Sequence, residues 1–438
     1  MDGLATAAGH EDRQTPLKNY CKGLLLPGER KSIEPMAGRL DPVHTQPMRQ
    51  SLHHLVAKAA WDDQAMLDRV REHVLPAMRK QGPVVAWIVD DTGFPKKGKH
   101  SVGVTRQYCG QVGKQENCRV AVSFSVATWS ASLPVAYRLY LPKDWAEDAE
   151  RREKAEVPEN IEFQTKPEIA LEQIRQAAAA GLETGIVLAD AAYGINTEFR
   201  EGLTELKLTY AVGVQSSVTV WEPGREPLPP KPRGKMGRPS RLLRRSPEHH
   251  PVSVKQLAMR LPNEAYKEVV WREASDRKLK SRFAAVRVRP AHRDYWKAEA
   301  HAEQWLLIEW PRSDSEPAKY WLSTMPPTAS LKALVKMAKH RWIIERDYQE
   351  LKQELGLGHF EGRNWRGFHH HATLCIAAYG FLIAERNRFS PSARAGQIEF
   401  EVPGPTPEFR PRGSSGSPRA TQSTLDRHTE AHPGAMPG

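Results

Sequence analysis

Two aspartates stand at the ends of apolar runs: Asp90 closes WIVD, and Asp190 closes GIVLAD a hundred residues later. Side chains at the C-terminal ends of strands in an α/β sheet point into the crevice where ligands bind. One acid at such a place is usually a turn starter or a helix cap. A third acid, Glu345, lies in RWIIERDYQELK (341–352), where Arg341, Glu345 and Lys352 share a face at 3.6 residues per turn. Taken alone, that Arg–Glu pair is ordinary support for an exposed helix. Two strand-end acids with a helical acid able to face them make a site for two Mg²⁺ ions, because hard cations take carboxylate oxygens. Two metals about 3.5–4 Å apart activate a water and stabilise the leaving oxygen of a phosphodiester.

Two other patterns near Asp90 point to different chemistry and fail. Gly93 to His100 (GFPKKGKH) matches a phosphate-binding loop except that His100 replaces the Ser or Thr that would hold Mg²⁺. The following SVGVTRQY is strand-like, so no helix N-terminus is available to cradle a phosphate. Asp91-Thr92-Gly93 spells the tripeptide of aspartic proteases, which need two such carboxylates sharing a proton. No second copy occurs.

The elements that must hold these acids follow from periodicity. Residues 14–80 read as helical, with amphipathic stretches at 17–26, 48–60 and 65–78 and with Lys18, Lys22, Arg30, Lys31, Arg39 and Arg49 available either to DNA or to solvent. From Val84 the texture turns β-branched: VVAWIV (84–89), CRVAVSFSVAT (118–128) and LPVAYRLYL (133–141) read as three consecutive, antiparallel strands. Then come a helix at 167–180, a strand at 185–189, a helix at 196–206 and a short strand at 209–214. A β-rich insertion is expected over 215–325, a long helix from 329 to 356 and a second from 368 to 386. The fold class is therefore α/β with a mixed sheet, not the strict alternation of a dinucleotide-binding fold. The expected units are a helical region (1–80), a first core part (81–214), the insertion (215–325), a second core part (326–388) and a disordered Pro/Gly/Ser-rich tail (389–438).

Lys plus Arg is 64 against 52 for Asp plus Glu, a net charge of +12 with a pI near 9.5, which favours a polyanionic partner. Part of the excess lies between Arg225 and Arg245, where Lys231, Arg233, Lys235, Arg238, Arg241, Arg244 and Arg245 meet a single acid, Glu226. That segment cannot bury a core; it reads as a loop that orders on a polyanion, the alternative being a charged linker. The longest apolar run, Ala372–Ile383, is too short to span a bilayer. With no secretory pattern at the N-terminus and no CxxC spacing among Cys21, Cys109, Cys118 and Cys375, a reducing cytoplasm is the expected compartment, without membrane association.

The Arg-x3-Glu-x6-Lys spacing resembles the signature around the third acid of DDE transposases of the insertion sequence 4 group. IVDDTGFPKKGKHSVGVTRQYCGQVGKQENCRVAV, LYLPKDW, VLADAAYG, RWIIERDYQELKQELGLGHFEGR and HHHATLCIAAYGFL look like the insertion sequence 701 branch, as does YCKGLLLPGERKSIEPMA. The resemblance covers about residues 15–385. It implies a ribonuclease H-like core of βββαβαβα order, a metal triad of Asp90, Asp190 and Glu345, and Mg²⁺ as a pair of ions, with Mn²⁺ as a substitute. Asp91 competes for the first position; Asp90 matches the family's Asp-x-Thr with Thr92. Arg341 and Lys352 would hold phosphates of the transposon end. Relatives place a tyrosine where this chain has Ala338, so that contact is lost or supplied elsewhere. Tyr320 and Trp321 lie where relatives carry an aromatic that stacks on a flipped base, a buried sheet aromatic being the alternative. His369, His370 and His371 match no metal spacing and are expected to face DNA or solvent. The implied partners are double-stranded DNA (terminal inverted repeats and target) and a second copy of the chain. The implied activity is end cleavage and strand transfer; a catalytically inactive DNA-binding repressor and a defence nuclease are the alternatives.

Overall fold

Six strands come first in the chain: β1 (Ala86–Pro95), β2 (Thr105–Cys109), β3 (Lys114–Ala127), β4 (Ser132–Leu139), β5 (Ile186–Ala189) and β6 (Tyr210–Val214). They belong to a computed structural model that describes residues 2–231, 241–273 and 278–389. β1 is antiparallel to β3, which is antiparallel to both β2 and β4. On its other side β1 runs parallel to β5, and β5 parallel to β6. The crossover helices Lys166–Ala179 and Thr197–Glu205 make the parallel pairings possible.

β1 is longer than the apolar run suggests. β3 pairs with it as far as Pro95, so Asp90 and Asp91 lie inside the strand and not at its end. The parallel neighbour β5 stops at Ala189, however, so from Asp90 onward β1 runs beyond its parallel partner.

The insertion contributes β7 (Thr219–Trp221), β8 (Val252–Ser253), β9 (Lys267–Glu273), β10 (Lys278–Pro290), β11 (Gln304–Glu309) and β12 (Lys319–Ser323). It is not a separate body: β12 pairs antiparallel with β6, β11 with β12 and β10 with β11, extending the core sheet to twelve strands. Period-two alternation splits its apolar residues between two cores. Leu306, Ile308, Tyr320 and Leu322 join Val220, Val254 and Leu257 on one face, while Leu307 and Trp321 join the main core on the other. Both Tyr320 and Trp321 are therefore buried. The expectation that this pair stacks on a base is corrected: the helix Leu331–His340 and the second core cover the two faces on which they lie.

The helices Gln14–Leu25, Ile33–Leu40, Thr45–His53 and Asp63–Arg79 also belong to the main core. They pack against the C-terminal helix Trp365–Phe389, where a Cβ at Gly380 would meet Val74 at 2.9 Å and Val70 at 3.0 Å. The three histidines nearer the start of this helix are buried and do not face DNA or solvent. His371 Nε2 donates to the Gly356 carbonyl (3.0 Å), leaving Nδ1 to accept from Tyr20 Oη (2.8 Å). His370 lies against the carbonyls of Val56 (3.0 Å) and Trp61 (2.9 Å) and stacks on the Trp61 ring. His369 accepts from the Leu139 N–H at 3.1 Å. Several N-terminal cations already have partners within the chain, one of them inside the fold. Lys31 is buried and donates to the carbonyls of Leu24 and Leu26, Arg30 pairs with Glu361, and Arg39 donates to Arg30 O.

The single long helix expected over 329–356 is broken. Leu331–His340 ends at Arg341, whose carbonyl accepts a tight bond from the Ile344 N–H (3.2 Å), and Trp342–Gln349 follows. The last turn, Glu350–Glu354, widens into a π-helix. Among the described residues no helix is long and apolar enough to cross a membrane, and all four cysteines are free and buried. The expected tail lies outside the described residues.

Candidate active site

Strand alternation separates the two adjacent aspartates. Asp90 sits opposite Ser123 of β3, and the Ser123 hydroxyl bonds Tyr348 Oη on the helix Trp342–Gln349. Asp90 thus faces the helix that carries Glu345. Asp91, opposite Val122, turns the other way and pairs with Lys166 Nζ at 2.8 Å.

Asp190 arrives through register. β1 pairs Ile88 with Leu188 in parallel, and two residues beyond that pairing both strands reach an aspartate. Asp190 Oδ1 also caps the short helix Ala191–Gly194, accepting from the N–H of Ala192 (2.9 Å) and of Tyr193 (3.4 Å). Glycine is needed on both sides of this turn. A Cβ on Gly194 would collide with Gly213 O, and one on Gly213 would come within 2.9 Å of the Ala191 nitrogen. The pair lets the Asp190 turn sit directly on β6.

The Glu345 helix is pinned along its length. His340 donates to Thr128 O (2.8 Å), Asp347 accepts from Tyr379 Oη (2.7 Å) and from Ser132, and Lys352 donates to Gly93 O (2.8 Å) and to Gln111 Oε1 (3.1 Å). Lys352 is therefore tied to the end of β1, and burial pushes its pKa down to about 8.

Arg341 is the centre of the arrangement. Its Nη1 donates to Asp90 Oδ2 at 2.6 Å and its Nη2 lies 3.8 Å from Glu345. The Asp90 and Arg341 side chains are only 14% and 25% exposed, whereas Glu345 is 66% exposed. Burial pushes the Asp90 carboxyl up to about 7; Arg341 pulls it down, and Asp190 and Asp91 push it up again. Asp90, Asp190 and Glu345 thus all act on one guanidinium. Among the described residues no three His, Cys, Asp or Glu side chains are gathered closely enough to hold a metal ion.

The basic segment is only partly in view. Arg233, Lys235 and Arg238 lie outside the described residues, and Lys231 and Arg241 are exposed. Arg244 donates to Pro229 O (2.9 Å) and pairs through its backbone with Leu228. Arg245 is bound to Asp294, which is 1% exposed and also accepts from Trp221 Nε1. Its expected place along DNA is corrected to a structural ion pair inside the insertion. Lys166 and Asp347 had no local signature: each owes its importance to a partner far away in the chain.

Asp90 within β1 and Asp190 just past the end of β5 thus lie on neighbouring parallel strands, with Glu345 on the helix that faces Asp90. Residues 3–278 match the family model described as DDE superfamily endonuclease, and the chain belongs to that family. The matched span holds Asp90 and Asp190 and ends before Glu345. Over 170 residues the chain is 31% identical to a probable transposase for insertion sequence element IS701 of Microchaete diplosiphon, a match covering 39% of this chain and 41% of that relative. Among solved structures, a piggyBac transposase synaptic complex with hairpin DNA aligns over 86% of this chain and 66% of its own, with a TM-score of 0.42 and 11% identity.

Proposed function

We propose that this protein is a cut-and-paste DNA transposase of the insertion sequence 701 type, which binds terminal inverted repeats, cleaves the element's ends and joins the freed 3′-hydroxyls to target DNA. The observation that carries the reading is the convergence of Asp90 and Asp190 from adjacent parallel strands on the helix bearing Glu345. The strand order β4-β3-β1-β5-β6, antiparallel on one side of β1 and parallel on the other, supports a ribonuclease H-like core.

Asp90, Asp190 and Glu345 would hold two Mg²⁺ ions, with Mn²⁺ as a substitute. Their donor chemistry fits, since all three offer only carboxylate oxygens and Asp90 is buried with more negative than positive neighbours. Their spacing is not that of a ready cage, because Arg341 stands between Asp90 and Glu345. When bound, the ions would supply an activated water and a stabilised leaving oxygen for in-line displacement. The chain's own residues bind and orient. Arg341 offers a planar fork suited to a phosphate, Lys352 is bonded to Gly93 of β1, and the exposed Lys231 and Arg241 are free to meet DNA elsewhere on the insertion. Two ends must be joined, so the reading includes a homodimer on DNA.

The test is Asp190→Ala, expected to shift an inverted-repeat duplex in a gel like the wild type but to leave it uncut with Mg²⁺. A variant that still nicks removes Asp190 from the reaction. A wild-type protein that binds the repeats and never cuts them is a repressor.

A further inference from the structure

Resting on the transposase reading, we propose that Arg341 is an internal counter-ion which occupies Asp90 until a phosphate of the DNA end draws it away, so that DNA and divalent metal bind cooperatively.

Three observations meet here. Arg341 bonds Asp90 at 2.6 Å and lies 3.8 Å from Glu345, so one cation stands between two of the three acids. Burial works against the Arg341 charge, and the charges of Asp90, Asp190 and Glu345 outweigh it. Among the described residues no three acids are gathered closely enough to hold a metal ion.

A guanidinium does not lose its proton in a protein, so it cannot vacate Asp90 by titrating. It leaves only for another anion. A phosphate accepts two parallel N–H bonds from the same fork and carries full charge, which makes it a direct competitor for Asp90. The helix need not move. Its anchors at Thr128, Ser123, Ser132, Tyr379 and Gly93 hold the backbone, and Arg341 sits at the break between two helices, where its long side chain can swing. Once the guanidinium is on a phosphate, Asp90 is a buried carboxylate without its counter-charge, and a divalent cation takes that place. Metal alone must displace Arg341 without offering it a new partner. Each ligand therefore raises the affinity of the other by the same factor.

The test is a Mn²⁺ titration of the full chain by calorimetry, with and without a duplex that already ends at the element's 3′ terminus, so that no hydrolysis follows. Wild type is expected to bind Mn²⁺ about tenfold more tightly with the duplex present. Arg341→Gln is expected to bind Mn²⁺ tightly in both conditions, with a ratio near one, and Arg341→Lys to recover part of the wild-type ratio. Wild type that binds both ligands with no change in Mn²⁺ affinity overturns the proposal, and so does a ratio that persists in Arg341→Gln. If Arg341→Gln does not fold, the wild-type ratio and Arg341→Lys decide. Failure of wild type to bind the duplex at all overturns the transposase reading itself, and the coupling with it.

Discussion

Tyr20 and His371 are separated by 351 positions, and Tyr20 Oη donates to His371 Nδ1 at 2.8 Å in the buried interior. The N-terminal helices are thus welded to the C-terminal helix of the main core. A separable helical domain would show no such bond. His371→Leu strips the acceptor from Tyr20 and the donor from Gly356 O, each loss costing roughly 1–3 kcal/mol. We expect chemical denaturation to show one cooperative transition at a lowered midpoint, and deletion of residues 1–79 to abolish folding. An N-terminal fragment that melts independently would contradict this.

The same histidine makes a pH prediction. Burial pushes His371 and His340 down to about 4, and backbone hydrogen bonds only partly offset it. Unfolded histidine titrates near 6.5, so between about 6.5 and 4 the unfolded chain binds more protons at these positions. Their contribution is complete above 6.5 and is lost as pH falls toward 4. Asp90 and Asp347, both raised to about 7 with burial as the leading cause, act in the opposite sense. Wild-type stability alone would therefore blur the effect. The deficit of His371→Asn relative to wild type isolates it: this deficit should be largest at pH 7 and shrink by roughly 1.4 kcal/mol per pH unit inside the window. A deficit independent of pH would mean that His371 is not buried as a neutral ring.

The long strands β1, β3 and β4 were legible because each has a local apolar pattern, and Asp90 and Asp190 stood out as candidates because they interrupt apolar runs. What the chain could not disclose locally is which side of each element gets covered. Asp90 meets Arg341 across 251 positions and Asp91 meets Lys166 across 75, and no local spacing encodes either pair. The aromatic side chains at 320 and 321 alternate into two cores, a result that depends on the insertion continuing the main sheet. Histidines 369–371 look exposed in an isolated helix; they are buried because Tyr20, Val56 and Trp61 from the first eighty residues, Leu139 of β4 and Gly356 all close on that helix.

The opposite orientations of Asp90 and Asp91 separate their roles in an assay. Asp90 faces Glu345 and Arg341, whereas Asp91 holds Lys166 at 2.8 Å on the other face of β1. Asp90→Asn is expected to reduce end cleavage to background. Asp91→Asn acts through a supporting ion pair, and a loss of about tenfold is expected, typical of a group one step removed from the site. Single-turnover nicking of one repeat duplex gives both numbers. If Asp91→Asn instead falls to background while Asp90→Asn still nicks, the first acid is Asp91.

Arg241 and Arg245 were equivalent members of one basic run, and the fold makes them opposites. Arg245 neutralises Asp294, which is almost completely buried and also bonded by Trp221, so Arg245→Ala leaves an uncompensated charge inside the insertion. A stability loss of about 3–5 kcal/mol is expected, read as an earlier denaturation midpoint. Arg241 is exposed, and Arg241→Ala should leave that midpoint in place while weakening DNA binding. Its signature is the salt dependence: each phosphate contact releases counterions, so losing one lowers the slope of log K against log salt by about one. The two variants must therefore separate in a paired measurement of melting and salt slope. If Arg245→Ala changes only the slope, its guanidinium serves DNA, and the Asp294 pair is a resting contact that DNA replaces.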